Sequence, residues 1–230
     1  MDLSAPAAFA ARVTRSGFST TPAGRWTSVA GAVYIAAWVS GLVVAPTAPS
    51  SSGPAAPLHD FYASHAPAIV VQALLVHRLA GIALAVLALV LPVAAGAAPG
   101  RARAARLWGW SAAAVSLVQV TLTLVATLGV RFATAETTRS LVHAVDVADA
   151  VKLVLLAGFV LTATAFAAHA CLAPTWVRVL AWALVVLLPL GGASFLGANG
   201  VLDLLLVVSL PVLLVWAGAV AYLVGRHARG

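Results

Sequence analysis

The side chains best able to do chemistry in this 230-residue sequence are polar and ionisable groups inside or beside long apolar runs. A charge within a membrane span is costly, pairs as a rule with another polar group, and marks a functional site by default. The candidates for a ligand-binding site or an ion network are His77, Arg78, Gln119, Asp146, Asp149, Lys152 and Asp203. Such a set could bind a small solute, an ion or a lipid. It could also be a buried ion network that only sets the register of the helices.

Four polar residues recur at every third position of one apolar run: His143, Asp146, Asp149 and Lys152. Steps of three residues keep neighbouring side chains on one stripe of a helix. We expect this stripe to face the interior of a bundle, in a polar pocket within one half of the membrane. Arg78 is the expected partner of Asp149 or Asp146, because an unpaired charge at that depth is expensive.

Imidazole and carboxylate groups raise the alternative of a metal or haem site. His59, His65 and His143 are weak candidates for metal ligands, of types that suit Zn or Cu, but their spacing matches no specific metal motif. A haem held by two axial histidines needs them at one depth, whereas His77 and His143 are expected at different depths. No cofactor is therefore expected. No Ser or Cys lies in a recognisable nucleophile motif, so no catalytic residue is assigned and an enzyme is the less favoured interpretation.

The elements that position these residues follow from a strongly apolar composition. The chain is 63% hydrophobic and 8% charged, against about 45–50% and about 25% in ordinary soluble domains. This excludes a soluble globular fold, which needs a polar shell, and a disordered chain, which needs high charge. The net charge of +7 is scattered in ones to threes between apolar runs, which does not indicate a nucleic-acid surface. The lipid bilayer is the expected surrounding medium.

Six apolar runs are long enough to cross about 30 Å of hydrocarbon as helices. They cover about 28–45, 68–95, 107–130, 145–171, 176–190 and 201–224. The runs are continuous rather than alternating, which indicates helices and not barrel strands. The predicted fold class is all-α, an integral membrane bundle of six transmembrane helices over residues 25–225, with tails at 1–24 and 226–230. Gly31 and Gly41 are candidate positions for close helix packing, although biased composition explains them equally well.

Arginine counting predicts the orientation of the bundle. The loops of one side carry nine arginines: Arg12, Arg15, Arg25, Arg101, Arg103, Arg106, Arg178, Arg226 and Arg229. The other side carries Arg131 and Arg139. Positive loops stay in the cytoplasm, so we expect both termini to be cytoplasmic in a bacterial cytoplasmic membrane. The loops 46–67, 131–144 and 191–200, and the polar pocket, are expected on the outside.

Two stretches carry a resemblance to a family. Asp60-Phe61-Tyr62-Ala63-Ser64-His65, followed by Val70-Val71-Gln72, resembles the first loop of small multi-pass membrane proteins common in actinobacteria. Pro174-Thr175-Trp176, followed by Leu180-Ala181-Trp182, resembles the turn before their fifth helix. Members of that family are mostly uncharacterised, so the resemblance implies a compact helical bundle and little about activity.

The favoured function is therefore binding or translocation of a small solute, ion or lipid in the outer half of the bundle. The first alternative is a structural or accessory membrane subunit, in an oligomer or with an accessory partner. The second is a haem or metal redox protein. Nucleic acid is not an expected partner.

Overall fold

The structure, a computed structural model, describes residues 22–197 and 200–228. Within these ranges it is helical and contains no strand. The helices are α1 (Pro22–Val44), α2 (Ala55–Ser64), α3 (Ala66–Ala94), α4 (Pro99–Leu128), α5 (Ala135–His169), α6 (Thr175–Gly192) and α7 (Gly200–His227). All of these except α2 are long and apolar enough to cross a membrane. The predicted all-α class with six candidate spans is confirmed.

The predicted tails coincide only in part with the helix ends. Most of the N-terminal tail, predicted at 1–24, lies outside the described residues, and α1 already begins at Pro22. At the other terminus α7 continues through Arg226 to His227, so the first residues of the tail predicted at 226–230 are helical.

The bundle is held together by contacts of α1 with α3 and α7, of α4 with α3 and α5, and of α6 with α5 and α7. Gly24 near the start of α1 packs against Gly225 and Ala228 at the end of α7. The first and the last spanning helix therefore meet at one end of the bundle, which we call the termini end. The opposite end, where α1 and α6 finish and α5 begins, is called the loop end.

Two glycines of α1 let neighbouring helices approach closely. A Cβ at Gly31 would overlap the Cβ of Ala221 in α7, and one at Gly41 would overlap the side chain of Val76 in α3. Small residues of this kind allow the backbone contacts that hold helices together where lipid removes the hydrophobic driving force. The prediction that these glycines are packing positions is confirmed.

The predicted loop at 131–144 is wrong for most of its length, because α5 begins at Ala135 rather than near 145. The Thr134 hydroxyl caps the helix by accepting a hydrogen bond from the Thr137 amide at 3.2 Å. Glu136 forms an ion pair with Arg139 at 2.6 Å on the same turn. The first turns of this helix contain polar residues, which lower the local hydropathy. A search for long apolar runs therefore does not detect these turns.

A short helix, α2, covers part of the loop end and lies within the loop predicted at 46–67. Its Leu58 and Tyr62 pack with Ile69, Ala126 and Val142 in a small cluster that is separate from the main core. This cluster holds α2 against α3, α4 and α5. α2 is therefore packed onto the bundle at the loop end.

Candidate functional site

A polar cavity of about 660 Å³ opens at the loop end, and we call it the vestibule. Its wall is made by the segment after α1, the first turns of α5, the segment after α6 and the start of α7. The polar residues that line it are Thr47, Ser50, Ser51, Ser52, Arg139, Ser140, His143, Asp146, Ser194 and Asp203. The volume falls in the range of about 300–1,000 Å³ that is usual for small-molecule sites.

Two carboxylates, Asp146 and Asp203, line the vestibule without forming an ion pair to any residue of the described ranges. Asp146 is half-buried and accepts a hydrogen bond from the hydroxyl of Ser51. Asp203, in the first turn of α7, is exposed. Burial and the Asp146 carboxylate raise the pKa of the nearby Tyr62 phenol in α2 to about 12, so that hydroxyl stays neutral at physiological pH. Arg139 in the lining is paired with Glu136 at 2.6 Å, so the two carboxylates leave the vestibule with net negative charge for a ligand.

A second polar group lies deeper in the bundle and is centred on Lys152. The Lys152 side chain is 3% exposed, and its Nζ lies 2.5 Å from Oδ1 of Asp149. The same ammonium donates a hydrogen bond to Oε1 of Gln119 at 2.8 Å and lies 5.6 Å from the centroid of the Trp38 ring. Gln119 in turn donates to the carbonyl of Val145 at 3.4 Å. The charge of Lys152 is thus neutralised inside the protein, as a buried cation requires.

An inner cavity of about 210 Å³ lies next to this group, with Gln72, His77 and Asp149 on its wall. Phe195 and Leu206 line both the vestibule and the inner cavity. The two spaces are therefore neighbours, with these two apolar side chains at their common boundary.

His77 belongs to a six-residue π-helical segment of α3, Leu74–Leu79. Such segments are rare and are found often at functional sites. The Nδ1 atom of His77 is buried and has no hydrogen-bond partner in the described part of the chain. A buried polar atom of this kind costs free energy unless water or a ligand satisfies it, so the inner cavity is suited to a polar occupant.

The expected pairing of Arg78 with Asp149 or Asp146 is wrong. Arg78 is exposed on the outer surface of α3, and the ion-pair partner of Asp149 is Lys152. The physical reason is the direction of the side chain: successive helical residues point about 100° apart, and with His77 on the wall of the inner cavity Arg78 falls on the exposed face. The structure brings Lys152, Asp149 and Gln119 together, places Asp146 and Asp203 in the vestibule, and leaves Arg78 outside both.

The stripe on α5 runs obliquely from the surface to the interior. His143 is exposed, Asp146 and Asp149 are half-buried, and Lys152 is buried. Steps of three residues turn each side chain by about 60° from the one before, which moves the stripe progressively inwards. The predicted stripe therefore joins the vestibule to the deep polar group instead of facing one pocket.

Two residues that contact this site were not identified from the sequence. Ser51 belongs to a Ser50-Ser51-Ser52 run that had the composition of a simple turn, yet it donates to Asp146. Trp38 lies six residues before the end of α1, about 9 Å inside the helix at 1.5 Å per residue, and its ring lies next to Lys152. That depth was the available signal, since tryptophan is commonest at membrane interfaces.

The three weak candidates for metal ligands have different surroundings. His65 stacks on Phe61 with ring centroids 4.5 Å apart, and its Nδ1 lies 2.9 Å from the hydroxyl of Ser64. His143 lines the vestibule, and His59 is a half-buried residue of α2. Among residues 22–197 and 200–228, no three or more His, Cys, Asp or Glu side chains are grouped so that they could hold a metal ion.

Fold and site together define an all-helical bundle with six helices able to span a membrane and a polar vestibule at one end. Scans against protein-family models, curated proteins and solved structures find no match to this chain. The functional argument therefore depends on the chemistry of the site alone.

Proposed function

We propose that this chain is a multi-pass protein of the bacterial cytoplasmic membrane that binds a small, positively charged, hydroxyl-bearing solute in the vestibule. One observation carries the proposal: Asp146 and Asp203, which form no ion pair with a described residue, place carboxylates in a cavity of about 660 Å³ whose other polar groups are mainly hydroxyls. Arg139, the cation in the lining, is neutralised by Glu136, and a cavity with net negative charge attracts cations. Hydroxyl groups would bond the polar atoms of the ligand and set its orientation.

The vestibule is a better ligand site than the deep group around Lys152. The Lys152 ammonium already has Asp149, Gln119 and the Trp38 ring as partners. A ligand would have to displace those contacts. At Asp146 it would compete only with the hydrogen bond from the hydroxyl of Ser51. We therefore assign the deep group to the stability of the bundle and the vestibule to binding.

Binding is favoured over translocation in this conformation. Towards the termini end, Leu84, Leu156, Phe159 and Trp216 pack around a space of only about 20 Å³. That is room for about one water molecule. Passage of a solute would require these large side chains to move apart, whereas binding in the vestibule requires no such movement.

A chemical-labelling experiment tests the charge preference. In a Cys171→Ser background, which removes the single native cysteine, Ser52→Cys places a thiol in the vestibule wall. We expect a trimethylammonium-bearing methanethiosulfonate to label this thiol roughly tenfold faster than the sulfonate-bearing reagent, because the carboxylates attract cations. Choline, a small hydroxylated cation, should slow the labelling, and neutral sorbitol should not.

The variant Asp146→Asn should raise the choline concentration needed for protection roughly tenfold, about the effect of one charged hydrogen bond. Asp60→Asn is the matched control, since Asp60 is an exposed carboxylate on α2 outside the vestibule lining. Equal labelling by both reagents, or choline protection that Asp146→Asn leaves unchanged, would contradict the proposal.

We propose further that the termini end faces the cytoplasm and the vestibule faces outwards. The support is that Arg101, Arg103, Arg106 and Arg178 lie near the connections opposite the vestibule, together with Arg25 and Arg226 near the ends of α1 and α7. A reporter that is active only in the cytoplasm should be active when fused after Gly230, and a reporter that needs export should be silent. The reverse pattern would overturn the orientation and place the vestibule inside.

A second candidate function is that of a structural or accessory membrane subunit. The specific observation in its favour is that the buried Lys152 is fully partnered within the chain, as a purely architectural ion network would be. Choline protection that depends on Asp146 would decide against this candidate, since an architectural subunit has no use for a selective vestibule.

A further inference from the structure

Arg78 is a cation on the outer face of a candidate membrane span. It lies twelve residues after the start of α3 and sixteen before its end. The exposed residues of this helix include Val71, Arg78, Ile82, Leu89 and Val93. Their spacing of seven, four, seven and four residues puts them on one stripe. Charged residues within spans almost always face the bundle interior or a watery cavity. Arg78 forms no ion pair with a described residue, so an arginine on this otherwise apolar outer stripe calls for a counter-charge from a bound partner.

An apolar groove of about 380 Å³ continues along the same stripe from the turn after Arg78. Its wall includes Gly81, Ile82, Ala85 and Leu89 of α3, with Trp110 and Ala114 of α4. The indole of Trp110 donates a hydrogen bond to the carbonyl of Ala85 at 3.1 Å, which ties the two helices together along the groove. Small residues on both helices open the groove, and its lining has almost no polar surface. The shape and chemistry suit a hydrocarbon chain.

We propose that this groove binds an anionic phospholipid, with one acyl chain between α3 and α4 and the headgroup phosphate at the guanidinium of Arg78. Side chains of a helix tilt towards its N-terminus, which for α3 is the loop end. Arg78 therefore reaches from the groove towards the membrane surface, as long basic side chains do. A guanidinium matches a phosphate with two parallel hydrogen bonds. This site is separate from the vestibule and does not depend on the solute proposed above.

A second copy of the chain fits this face less well than a lipid. The acidic residues in the described ranges are Asp60, Glu136, Asp146 and Asp203 near the loop end, and Asp149 in the pair with Lys152. None of them offers a carboxylate on the outer surface at the depth of Arg78. A symmetric dimer through this face would also bring two Arg78 side chains together, which like charges disfavour.

The test is native mass spectrometry of the full-length protein in detergent, titrated with phosphatidylglycerol and, separately, with phosphatidylcholine. We expect one phosphatidylglycerol to bind with higher affinity than phosphatidylcholine, because the choline cation offsets the phosphate charge of phosphatidylcholine whereas phosphatidylglycerol keeps a net negative charge for Arg78. Arg78→Gln should weaken phosphatidylglycerol binding roughly tenfold, the effect of losing a charged hydrogen bond. Arg131→Gln is the matched control, because Arg131 is exposed near the loop end but lies outside the groove, and it should leave the affinity unchanged.

A second variant tests the groove itself. Ala114→Phe fills the groove from an exposed position, so it should also weaken phosphatidylglycerol binding while circular dichroism shows an unchanged helical bundle. The proposal is overturned by equal binding of both lipids, by full phosphatidylglycerol binding in Arg78→Gln, or by no effect of Ala114→Phe. It is likewise overturned if the wild type is a dimer that Arg78→Gln dissociates.

Discussion

Replacing Lys152 with methionine should lower the free energy of unfolding by about 3–5 kcal/mol, because removing one partner of a buried ion pair leaves the other charge uncompensated. The charge left behind is Asp149, whose side chain is 17% exposed. Gln119 would also lose the donor that now satisfies its Oε1 atom. The measurement is chemical unfolding in mixed lipid and detergent micelles, followed by circular dichroism.

The double variant Lys152→Met with Asp149→Leu should recover most of that loss. Apolar residues of similar volume often replace a buried ion pair at little cost, since neither charge has to be desolvated. Arg131→Met is the matched control: it removes an exposed cation outside the groove between α3 and α4 and should change stability by less than about 0.5 kcal/mol. If Lys152→Met were as stable as the wild type, or the double variant less stable than the single one, the ion network would not have the structural role assigned to it.

Replacing Gly31 with leucine should destabilise the bundle by about 1–3 kcal/mol, the usual cost of overpacking. Any side chain at this position would overlap Ala221, so α1 and α7 would have to move apart. The loss should appear as a lower midpoint of thermal unfolding in the same micelles.

Gly100→Leu provides the control for the glycine experiment. Gly100 lies in the first turn of α4, and a Cβ at this position would meet no neighbouring atom within 4 Å, so leucine there should leave the midpoint almost unchanged. Equal effects of the two substitutions would mean that the close contact between α1 and α7 does not limit stability.

The number and class of the helices could be predicted from composition and run length, because lipid demands about 20 apolar residues for each crossing. The ends of the helices could not be predicted in this way. The first turns of α5 contain Glu136, Arg139 and His143, and α2 is a helix of only 10 residues that includes His59 and Asp60. In both places the helix is stabilised by capping, an ion pair or packing of a few residues, and none of these produces an apolar run.

The polar residues of the site could be found from the sequence, but not all of their partners. The interval of three between Asp149 and Lys152 predicted a shared helix face, and these residues do pair. Gln119 and Trp38 join them from α4 and α1, contacts between helices that no local spacing encodes. The position of Arg78 within an apolar run predicts its depth and favours an interior partner, but the run does not show which way the side chain points.

The sequence does not show which side of each helix faces the protein interior, and the reason is physical. A helix that is apolar all round has almost no amphipathic signal, so the lipid-facing and protein-facing sides look alike. In α3 the exposed Ile82 and the buried Leu84 are equally apolar, and only packing against α1 and α4 distinguishes them.

By itself, the sequence determined that the chain needs an apolar surrounding, that it has six runs able to cross a membrane, and that a few polar residues lie among them. These properties depend on hydrophobicity and length, which are sums over neighbouring residues. Only the tertiary structure decided that Lys152 is neutralised by Asp149 and Gln119, that Asp146 and Asp203 share a vestibule, and that Arg78 faces outwards. Those outcomes depend on how each helix is rotated against its neighbours, and that rotation is set by contacts between residues far apart in the chain.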